Sequence, residues 1–499
     1  MEIILSIDQS TSATKALLWD INGELLARSD APHRQITDSR GWVEHDPEEI
    51  YRNTLESVRA VIKKADVDPG QIKVMGISNQ RETAVCWNLK TGKPLYNAVV
   101  WQCNRAVDVA ERVRNMGLQA AVREKTGLQL SPYFSAAKWG WMVKHSDEVR
   151  TAKQRGELFC GTIDSWLLHK LTGDFRTDYS NASRTQLFNL QRSAWDEELA
   201  EAFGINTNCL AEVCMSDSLF GYTNLEGILP ANIPVHCMLG DSHAALFANQ
   251  CRKKYSAKVT YGTGSSVMMN AGTSCPFPHP GLSASLAWGI EGQIEYVLEG
   301  NINDTGAVIK WLVEDIGLIP DAKSAGKIAG SVNDTGGVYL IPAFSGLSAP
   351  YYNDAARAAF LGMNRGTKRA HLVRAAEECI AYQIKDVVEI INLSCNKPMT
   401  VIRADGGPTR DAFLMQFQSD ILDIPIEINA TEELSGMGAA YCAAVGAGLT
   451  DSNSIFSGQR RKAVTPDMSP EQREALYTGW KNAVDIINKQ TAGSQKGGS

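Results

Sequence analysis

Three short turns along the chain combine small, hydroxyl and acidic residues. The first runs from Asp8 to Thr14, contains Thr11 and Ser12, and is followed by Lys15. Its hydroxyls and backbone N–H groups can face a phosphate, and an Asp at a strand end can hold a hydrated Mg²⁺. An ordinary polar turn has the same composition, because these residues favour turns for conformational reasons. The turn is therefore a candidate phosphate and metal site.

Two further turns are rich in glycine, at residues 262–264 (Gly-Thr-Gly) and 405–407 (Asp-Gly-Gly). Glycine lets a backbone approach a phosphate closely, and a glycine turn that leads into a helix is where nucleotides bind in α/β proteins. Taken alone, the first is better explained by a plain hairpin, and a strand-to-helix turn with positive φ is the alternative for the second. No G-x-x-x-x-G-K-[ST] sequence occurs, which excludes a Walker-type site. The three turns together indicate nucleotide binding.

Asp241 is the candidate acid/base. It follows an apolar strand and begins a segment of small residues, and a carboxylate there can accept a hydroxyl proton during phosphoryl transfer. Asp is also a favoured helix N-cap, and the spacing alone favours that interpretation. The spacing gives no support to a metal site formed by His243 with His236 and Cys237.

Arg81, Glu82 and Trp101 follow predicted strands and can bind a polyol. An Arg/Glu pair can hydrogen-bond neighbouring hydroxyls, and a Trp ring can cover the carbon face of such a ligand. A surface ion pair and a core Trp are the alternatives that spacing leaves open.

The elements that must position these residues repeat along the chain. Strands are predicted at residues 3–7 and 15–20, around the first turn, and at 258–261 and 267–270, around the second. This repeated strand–turn–strand pattern indicates a duplicated fold with a boundary near residue 247. Asp46 and Pro47 predict the start of a helix, residues 72–77 and 399–403 predict strands, and residues 412–421 predict another helix. A long helix with an apolar stripe is predicted after Thr367, which we expect to cap it.

The overall composition is that of a globular protein. The 499 residues carry a formal net charge of −7, with 21% charged and 44% hydrophobic residues. These values argue against disorder and against a broad basic face for nucleic acid. The eleven cysteines are scattered and odd in number, which predicts free, mostly buried thiols in the cytoplasm. No membrane span is expected, and residues 491–499 are expected to form a disordered tail.

Several longer segments resemble the FGGY carbohydrate kinases over residues 3 to 449. The matching segments are residues 79–83 (Asn-Gln-Arg-Glu-Thr), 91–94, 101–103, 161–168, 178–184 and 413–420. One family signature fits residues 133–145. Another fits residues 358–378, except that Glu377 stands where an apolar residue is usual.

The resemblance implies an α/β fold, the two-lobed actin-like (ribonuclease H-like) ATPase fold with a central cleft. Residues 1–247 would form the substrate lobe and 248–490 the nucleotide lobe. The implied activity transfers the γ-phosphate of ATP, with Mg²⁺, to a primary hydroxyl of glycerol or a close polyol. The resemblance implies that Asp241 is the general base and that Asp8 binds the metal. It implies that the nucleotide is bound by Thr11, Ser12, Lys15, Gly262, Thr263, Gly306, Lys310, Gly407 and Asp411. It implies that the substrate is bound by Arg81, Glu82, Trp101, Tyr133, Asp241, Ser242 and Ser266.

Some positions depart from the family pattern. Ser242 and His243 replace two Gln, Ser266 replaces a Phe, and Lys310 and Asp411 replace a Gln and an Asn. Smaller substrate-wall residues open volume, so we hypothesise tolerance for a C4–C5 polyol or ketose. A second alternative is a non-catalytic, actin-like polyol sensor. The resemblance further implies a small polyol or sugar as partner, no nucleic acid, and a homodimer or homotetramer.

Overall fold

The structure is a computed structural model that describes residues 2–395, 397–451, 454–456 and 459–494. Strands up to residue 240 are β1 (Ile3–Gln9), β2 (Ala13–Asp20), β3 (Leu25–Pro32), β4 (Ile36–Thr37), β5 (Val43–His45), β6 (Ile72–Asn79), β7 (Val85–Asn88), β8 (Ala98–Val99), β9 (Leu158–Gly161), β10 (Arg176–Asp178), β11 (Phe188–Asn189), β12 (Ala194–Trp195), β13 (Glu212–Cys214), β14 (Gly221–Thr223) and β15 (Ile233–Gly240). Helices up to residue 248 are α1 (Pro47–Ala65), α2 (Val107–Asn115), α3 (Gln119–Thr126), α4 (Ser135–His145), α5 (Asp147–Gln154), α6 (Ile163–Thr172), α7 (Tyr179–Ala182), α8 (Glu197–Phe203) and α9 (Asp241–Ala248).

The remaining elements follow residue 256. Strands are β16 (Ala257–Tyr261), β17 (Ser265–Gly272), β18 (Ser283–Ile290), β19 (Gln293–Ile302), β20 (Tyr339–Ile341), β21 (Ala359–Leu361), β22 (Ile402–Asp405), β23 (Ile426–Asn429) and β24 (Arg461–Val464). Helices are α10 (Gly306–Glu314), α11 (Ala325–Ala329), α12 (Arg369–Cys395), α13 (Ala412–Leu422), α14 (Leu434–Gly446) and α15 (Pro470–Ser494). Short 3₁₀ segments lie at Pro69–Gln71, Thr207–Cys209, Ala322–Ser324, Gly407–Arg410 and Ser454–Phe456.

Two large mixed sheets organise these elements. The first has the order β14-β15-β6-β1-β2-β3, and the second has the order β18-β19-β17-β16-β22-β23-β24. In the first, β1 pairs antiparallel with β2 and parallel with β6, and β6 pairs parallel with β15. In the second, β16 pairs antiparallel with β17 and parallel with β22. Each sheet therefore contains the strand–turn–strand unit that the sequence predicted, followed by parallel strands.

Helices cover both faces of the first sheet. Apolar residues of α1 and α6 pack with strand residues into one buried cluster, and α9 and α14 pack with the other face into a second cluster. Helix α14 follows β23 of the second sheet in the chain, yet it packs on the first sheet. The two halves consequently share a buried core that includes residues of both sheets, α9 and α14.

Most predicted elements are present, with local differences. Helix α1 begins at Pro47, and the Asp46 side chain accepts a hydrogen bond from the Glu48 N–H. Strand β22 begins at Ile402, three residues later than predicted. The prediction that Thr367 caps the long helix is wrong, because α12 begins at Arg369 and the Thr367 hydroxyl accepts from the Asn364 N–H.

The C-terminal segment and the cysteines were also the subject of predictions. Helix α15 extends to Ser494, four residues into the segment that we expected to be disordered, and residues 495–499 lie outside the described residues. All eleven cysteines are free thiols, and most are buried. Among the described helices, none is both long and apolar enough to cross a bilayer.

Candidate active site

The parallel strands of the first sheet bring Asp8, Arg81 and Asp241 to one edge. Asp8 pairs with Ser78 in register, and Asn79 pairs with Gly240 on the next strand. The residues that follow these positions therefore leave the sheet side by side. This arrangement is where ligands bind in open α/β sheets, outside the carboxyl ends of the strands.

Asp8 is held by hydrogen bonds at both carboxylate oxygens. Ser78 Oγ donates to Oδ1 over 2.7 Å, and Lys15 Nζ donates to Oδ2 over 3.1 Å. Lys15 also pairs with Glu433 over 3.1 Å, so one ammonium group lies between two carboxylates. Burial opposes the charged form of Lys15, but Asp8 and Glu433 outweigh it and raise its pKa. Lys15 therefore stays charged at neutral pH.

These residues line a cavity of about 240 Å³ between the two sheets. Asp8, Lys15 and Asp241 reach it from the first sheet, and Lys258 and Thr260 reach it from β16. Lys258 Nζ donates to Thr260 Oγ1 over 2.5 Å, and the lysine is almost fully buried. Lys258 is not among the residues predicted from the sequence, although a lysine within a short apolar strand is an identifiable signal.

Asp241 is the first residue of α9, and Gly240 occupies the cap position. The interpretation of Asp241 as an N-cap is therefore wrong: its Oδ1 accepts from the N–H of the adjacent Ser242 over 2.6 Å. The side chain is 33% exposed to the cleft, and Arg81 Nε lies 3.6 Å from it. Burial and, to a lesser extent, Asp8 raise the pKa of Asp241, while Arg81 lowers it. A carboxylate with a raised pKa is a better proton acceptor.

Arg81 and Glu82 are buried in a charge network, not paired at the surface. Arg81 donates to both oxygens of Glu299, over 3.1 and 2.9 Å. Arg184 donates to Glu82 Oε1 over 2.6 Å and lies 3.0 Å from Glu299. Glu82 has a left-handed backbone with φ 61°, which is uncommon outside glycine and is often found at functional sites.

Glu299 links the two lobes through this network. Burial alone would raise its pKa, but Arg81 and Arg184 outweigh burial and hold the pKa well below its ordinary value. Ser266 Oγ donates to Glu299 Oε1 over 3.1 Å, so the predicted substrate-wall serine is bonded to the group that holds Arg81. Glu299 and Arg184 are not among the predicted site residues, because their roles depend on contacts between segments distant in sequence.

Trp101 and Tyr133 lie together beside the first turn. Their ring centroids are 5.6 Å apart, and Trp101 Nε1 donates to Thr11 Oγ1 over 2.9 Å. Lys138, fully buried in α4, donates to the Tyr133 carbonyl, and burial lowers the lysine pKa to about 7. The Trp101 and Tyr133 rings are half-buried, so they can form a wall for the carbon face of a ligand. Ser12, which follows Thr11 in the first turn, is exposed.

His243 is buried behind Asp241. Its Nε2 lies 3.3 Å from Ser285 Oγ, while its Nδ1 has no hydrogen-bond partner in the described part of the chain. Burial, with the charge of Arg81 adding to it, lowers its pKa well below the ordinary value. Among residues 2–395, 397–451, 454–456 and 459–494, no group of three His, Cys, Asp or Glu side chains is arranged to hold a metal.

The turn at residues 405–407 borders a second, larger cavity of about 780 Å³, lined by Gly306, Lys310, Gly407 and Asp411 among others. The turn at residues 262–264 lies next to it. The carbonyl groups of Gly262 and Thr263 accept from the N–H groups of Gly306 and Ala307, so this turn is fixed to the start of α10. Gly406 has φ 97°, and an added Cβ would lie 1.9 Å from the Tyr261 carbonyl oxygen. The third turn therefore requires glycine, as the sequence suggested.

Asp411 lines this cavity and also has a structural role. Its Oδ1 accepts from the N–H groups of Phe413 and Leu414, and its Oδ2 accepts from the Gly326 N–H over 3.0 Å. The carboxylate thus caps α13 and ties it to α11. Lys310 lies at the rim of the cavity, where it is 66% exposed and 3.5 Å from Glu314.

These two lobes, with turns of both facing one cleft that contains two cavities, define an actin-like ATPase fold with a phosphotransfer site. Residues 3–248 match the N-terminal domain of the FGGY family of carbohydrate kinases, and residues 257–447 match its C-terminal domain. The chain belongs to this family, and it is a phosphotransferase with an alcohol group as acceptor.

Individual relatives are similar over nearly the whole chain. Glycerol kinase 1 of Thermotoga maritima is 46% identical over 96% of this chain and 98% of its own length. A glycerol kinase of Caldanaerobacter subterraneus is 42% identical over 97% and 98%. The crystal structure of Plasmodium falciparum glycerol kinase with ADP superimposes with a TM-score of 0.93, at 33% identity and 98% coverage of both chains. A xylulose kinase of Lactobacillus acidophilus, at 21% identity and a TM-score of 0.89 over 99% of this chain and 100% of its own, shares the fold.

Proposed function

We propose that the protein transfers the γ-phosphate of ATP to a primary hydroxyl of glycerol. The observation that carries this proposal is the convergence of Asp241, Arg81 and Asp8 at one sheet edge, with the Asp241 carboxylate open to the cleft. The similarity to glycerol kinases supports the choice of substrate.

The substrate would lie between the charge network and the aromatic wall. Arg81 and Glu82 bind neighbouring hydroxyls, and Trp101 and Tyr133 cover the carbon chain. The bidentate contact with Glu299 fixes the Arg81 guanidinium before substrate arrives. Such preorganisation lowers the entropy lost when a ligand is positioned. Ser242 and Ser266 complete the substrate side of the cleft.

Asp241 acts as the general base in this proposal. It accepts the proton of the attacking hydroxyl as the oxygen bonds to phosphorus, while ADP leaves. The nearby Arg81 lies 3.6 Å from the carboxylate and partly offsets the rise in the pKa of Asp241 that burial causes. Closure of the lobes excludes water and prevents ATP hydrolysis.

The phosphates would be bound between the turns. Lys15 and Lys258 supply positive charge, Thr11, Ser12, Gly262 and Thr263 supply hydroxyl and backbone groups, and Gly306, Lys310, Gly407 and Asp411 border the base and ribose. Mg²⁺ commonly binds through one or two carboxylates plus phosphate oxygens, and the donor set of Asp8 and Asp241 in one cavity fits that requirement. Bound there, the ion would neutralise charge on the phosphates.

A substrate panel tests the proposal. Purified protein with ATP and Mg²⁺ is offered glycerol, erythritol, xylitol and D-xylulose, and ADP release is measured. We expect the highest kcat/KM with glycerol. A clear preference for a four- or five-carbon substrate would replace glycerol with the longer class, which the small Ser266 side chain would admit. Nucleotide binding without turnover of any substrate would instead favour a polyol sensor.

A further inference from the structure

The larger cavity contains an acidic residue that the proposed mechanism does not use. Its walls are mostly apolar, from Ile309, Val313, Ile380 and Leu414. Helix α12 places Glu377 on this wall, where the residue is only 2% exposed. An acidic side chain in such surroundings is costly unless a partner satisfies it.

The described part of the chain offers Glu377 no such partner. No described residue forms a hydrogen bond or ion pair with its carboxyl group. The nearby Asp411 is a second carboxylate, and its oxygens are occupied by backbone N–H groups. Lys310 lies at the exposed rim beside Glu314 and does not pair with Glu377. The Glu377 carboxyl group is therefore buried, unpartnered and directed at the space that a ligand would fill.

The surroundings favour the neutral form of this group. Burial, with the charge of Asp411 adding to it, raises the pKa of Glu377 to about 8. The charged groups that border the cavity are Lys310, Glu314, Asp321, Lys323, Arg410 and Asp411. At pH 7 the carboxyl group therefore carries a proton, and it offers one donor and one acceptor side by side.

We propose that Glu377 recognises the nucleobase, by donating a hydrogen bond to an adenine ring nitrogen and accepting one from the adjacent 6-amino group. This inference rests on the proposed nucleotide site. Adenine presents such a donor beside an acceptor, whereas guanine presents two acceptors at the corresponding N7/O6 edge. Glu377 is thus a specificity determinant for ATP over GTP, and deprotonation weakens ATP binding.

Two variants separate hydrogen bonding from charge. Glu377→Gln keeps a donor and an acceptor but does not titrate, and Glu377→Leu removes both. ATP and GTP binding is measured by calorimetry from pH 6 to 9.5 without any phosphoryl acceptor. We expect the wild-type Kd for ATP to rise above pH 8 and that of Glu377→Gln to stay flat. Glu377→Leu should bind ATP roughly 10-fold more weakly at pH 7 and lose its preference over GTP.

Protein stability gives an independent readout. Between pH 4.5 and about 8 the native carboxyl group holds a proton that the unfolded chain releases, so its contribution to stability falls as pH rises through this window. The difference in free energy of unfolding between wild type and Glu377→Gln should therefore change with pH between 4.5 and about 8 and level off above that window. Urea unfolding measures this difference.

The outcomes distinguish this inference from the proposed function. Identical pH profiles of ATP binding in wild type and Glu377→Gln, or an unchanged ATP/GTP ratio in Glu377→Leu, would overturn the role of Glu377. The predicted binding behaviour in a protein that does not phosphorylate glycerol would support Glu377 and contradict the proposed substrate.

Discussion

Asp241 and Glu299 are both carboxylates beside Arg81, yet their surroundings move their pKa values in opposite directions. Glu299 lies between Arg81 and Arg184, and these charges outweigh its burial and keep it ionised. Asp241 is affected mostly by burial, which raises its pKa, and its side chain opens to the cleft. Two such groups have different chemical roles, because one remains a fixed counter-ion while the other can exchange a proton.

The first prediction concerns Asp241 itself. Asp241→Asn removes the proton acceptor but keeps the size and polarity of the side chain. We expect kcat to fall by roughly 10²–10⁴-fold, the usual contribution of general-base catalysis, with ATP binding retained. A coupled assay of ADP release measures the rate. Asp108→Asn, at a surface carboxylate paired with Lys144, is the matched control, and near-wild-type turnover by Asp241→Asn would rule out the assigned role.

At the scale of elements, the position of the base depends on how α14 packs on α9. Ser435 of α14 donates to the Asp241 carbonyl over 3.0 Å. The two helices approach closely at Gly438, where an added Cβ would lie 1.9 Å from the Ala244 carbonyl oxygen. Helix α14 also approaches strand β6 closely at Gly76, where an added Cβ would lie 2.3 Å from the Ala439 carbonyl oxygen. Glycine is required at both contacts because backbone meets backbone.

The second prediction follows from this contact. Glycine to alanine in a helix ordinarily stabilises, by up to about 1 kcal/mol. Gly438→Ala should instead destabilise the protein by at least about 1–3 kcal/mol, because the helices must separate. Urea unfolding measures the change. Gly70→Ala is the control, since its added Cβ meets nothing closer than 3.4 Å. A stabilised Gly438→Ala variant would show that the helices are not in this close contact.

At the scale of the whole molecule, ionic and backbone contacts join the lobes. Arg81 and Arg184 meet Glu299, and Lys15 meets Glu433, across the cleft. The Gly289 N–H of β18 also donates to Ser216 Oγ over 3.1 Å. The charge pairs lie beside the proposed substrate and phosphate sites, so substrate binding and lobe closure are expected to be coupled.

The third prediction tests this coupling. Glu299→Gln removes the carboxylate that Arg81 and Arg184 share, and breaking a buried ion pair by removing one partner typically costs about 3–5 kcal/mol. We expect a larger radius of gyration in small-angle X-ray scattering and a lower kcat/KM for glycerol. The native pKa of Glu299 is below its ordinary 4.5. The difference in free energy of unfolding between wild type and Glu299→Gln should therefore persist at every pH above 4.5 and be lost only in stronger acid.

The control for Glu299→Gln is Glu291→Gln. Glu291 pairs with Arg252 over 2.8 Å at the surface of one lobe, so its loss should change neither the scattering nor the rate. Equal scattering and equal kcat/KM for Glu299→Gln and wild type would contradict a role of this network in holding the lobes together.

Local interactions explain what the sequence predicted well. The Asp46 cap, the positive φ of Gly406 and the apolar stripe of α12 act within a few residues, so composition and spacing reveal them. The two strand–turn–strand units and the long family motifs then indicated two lobes and phosphotransfer. The residues at the ends of β1, β6 and β15 lie side by side, because parallel strands gather their carboxyl ends at one edge.

The tertiary structure alone decided which charges meet and which are left without a partner. Glu299 binds Arg81 across 218 positions of sequence, and Lys258 enters the phosphate cavity from the opposite lobe. Asp411 lines the larger cavity and also caps a helix. Glu377, which departs from the family signature, lies on the wall of that cavity without a hydrogen-bond or ion-pair partner among the described residues. Ionic contacts and burial depend on packing between segments distant in sequence, and no short-range pattern of residue types specifies them.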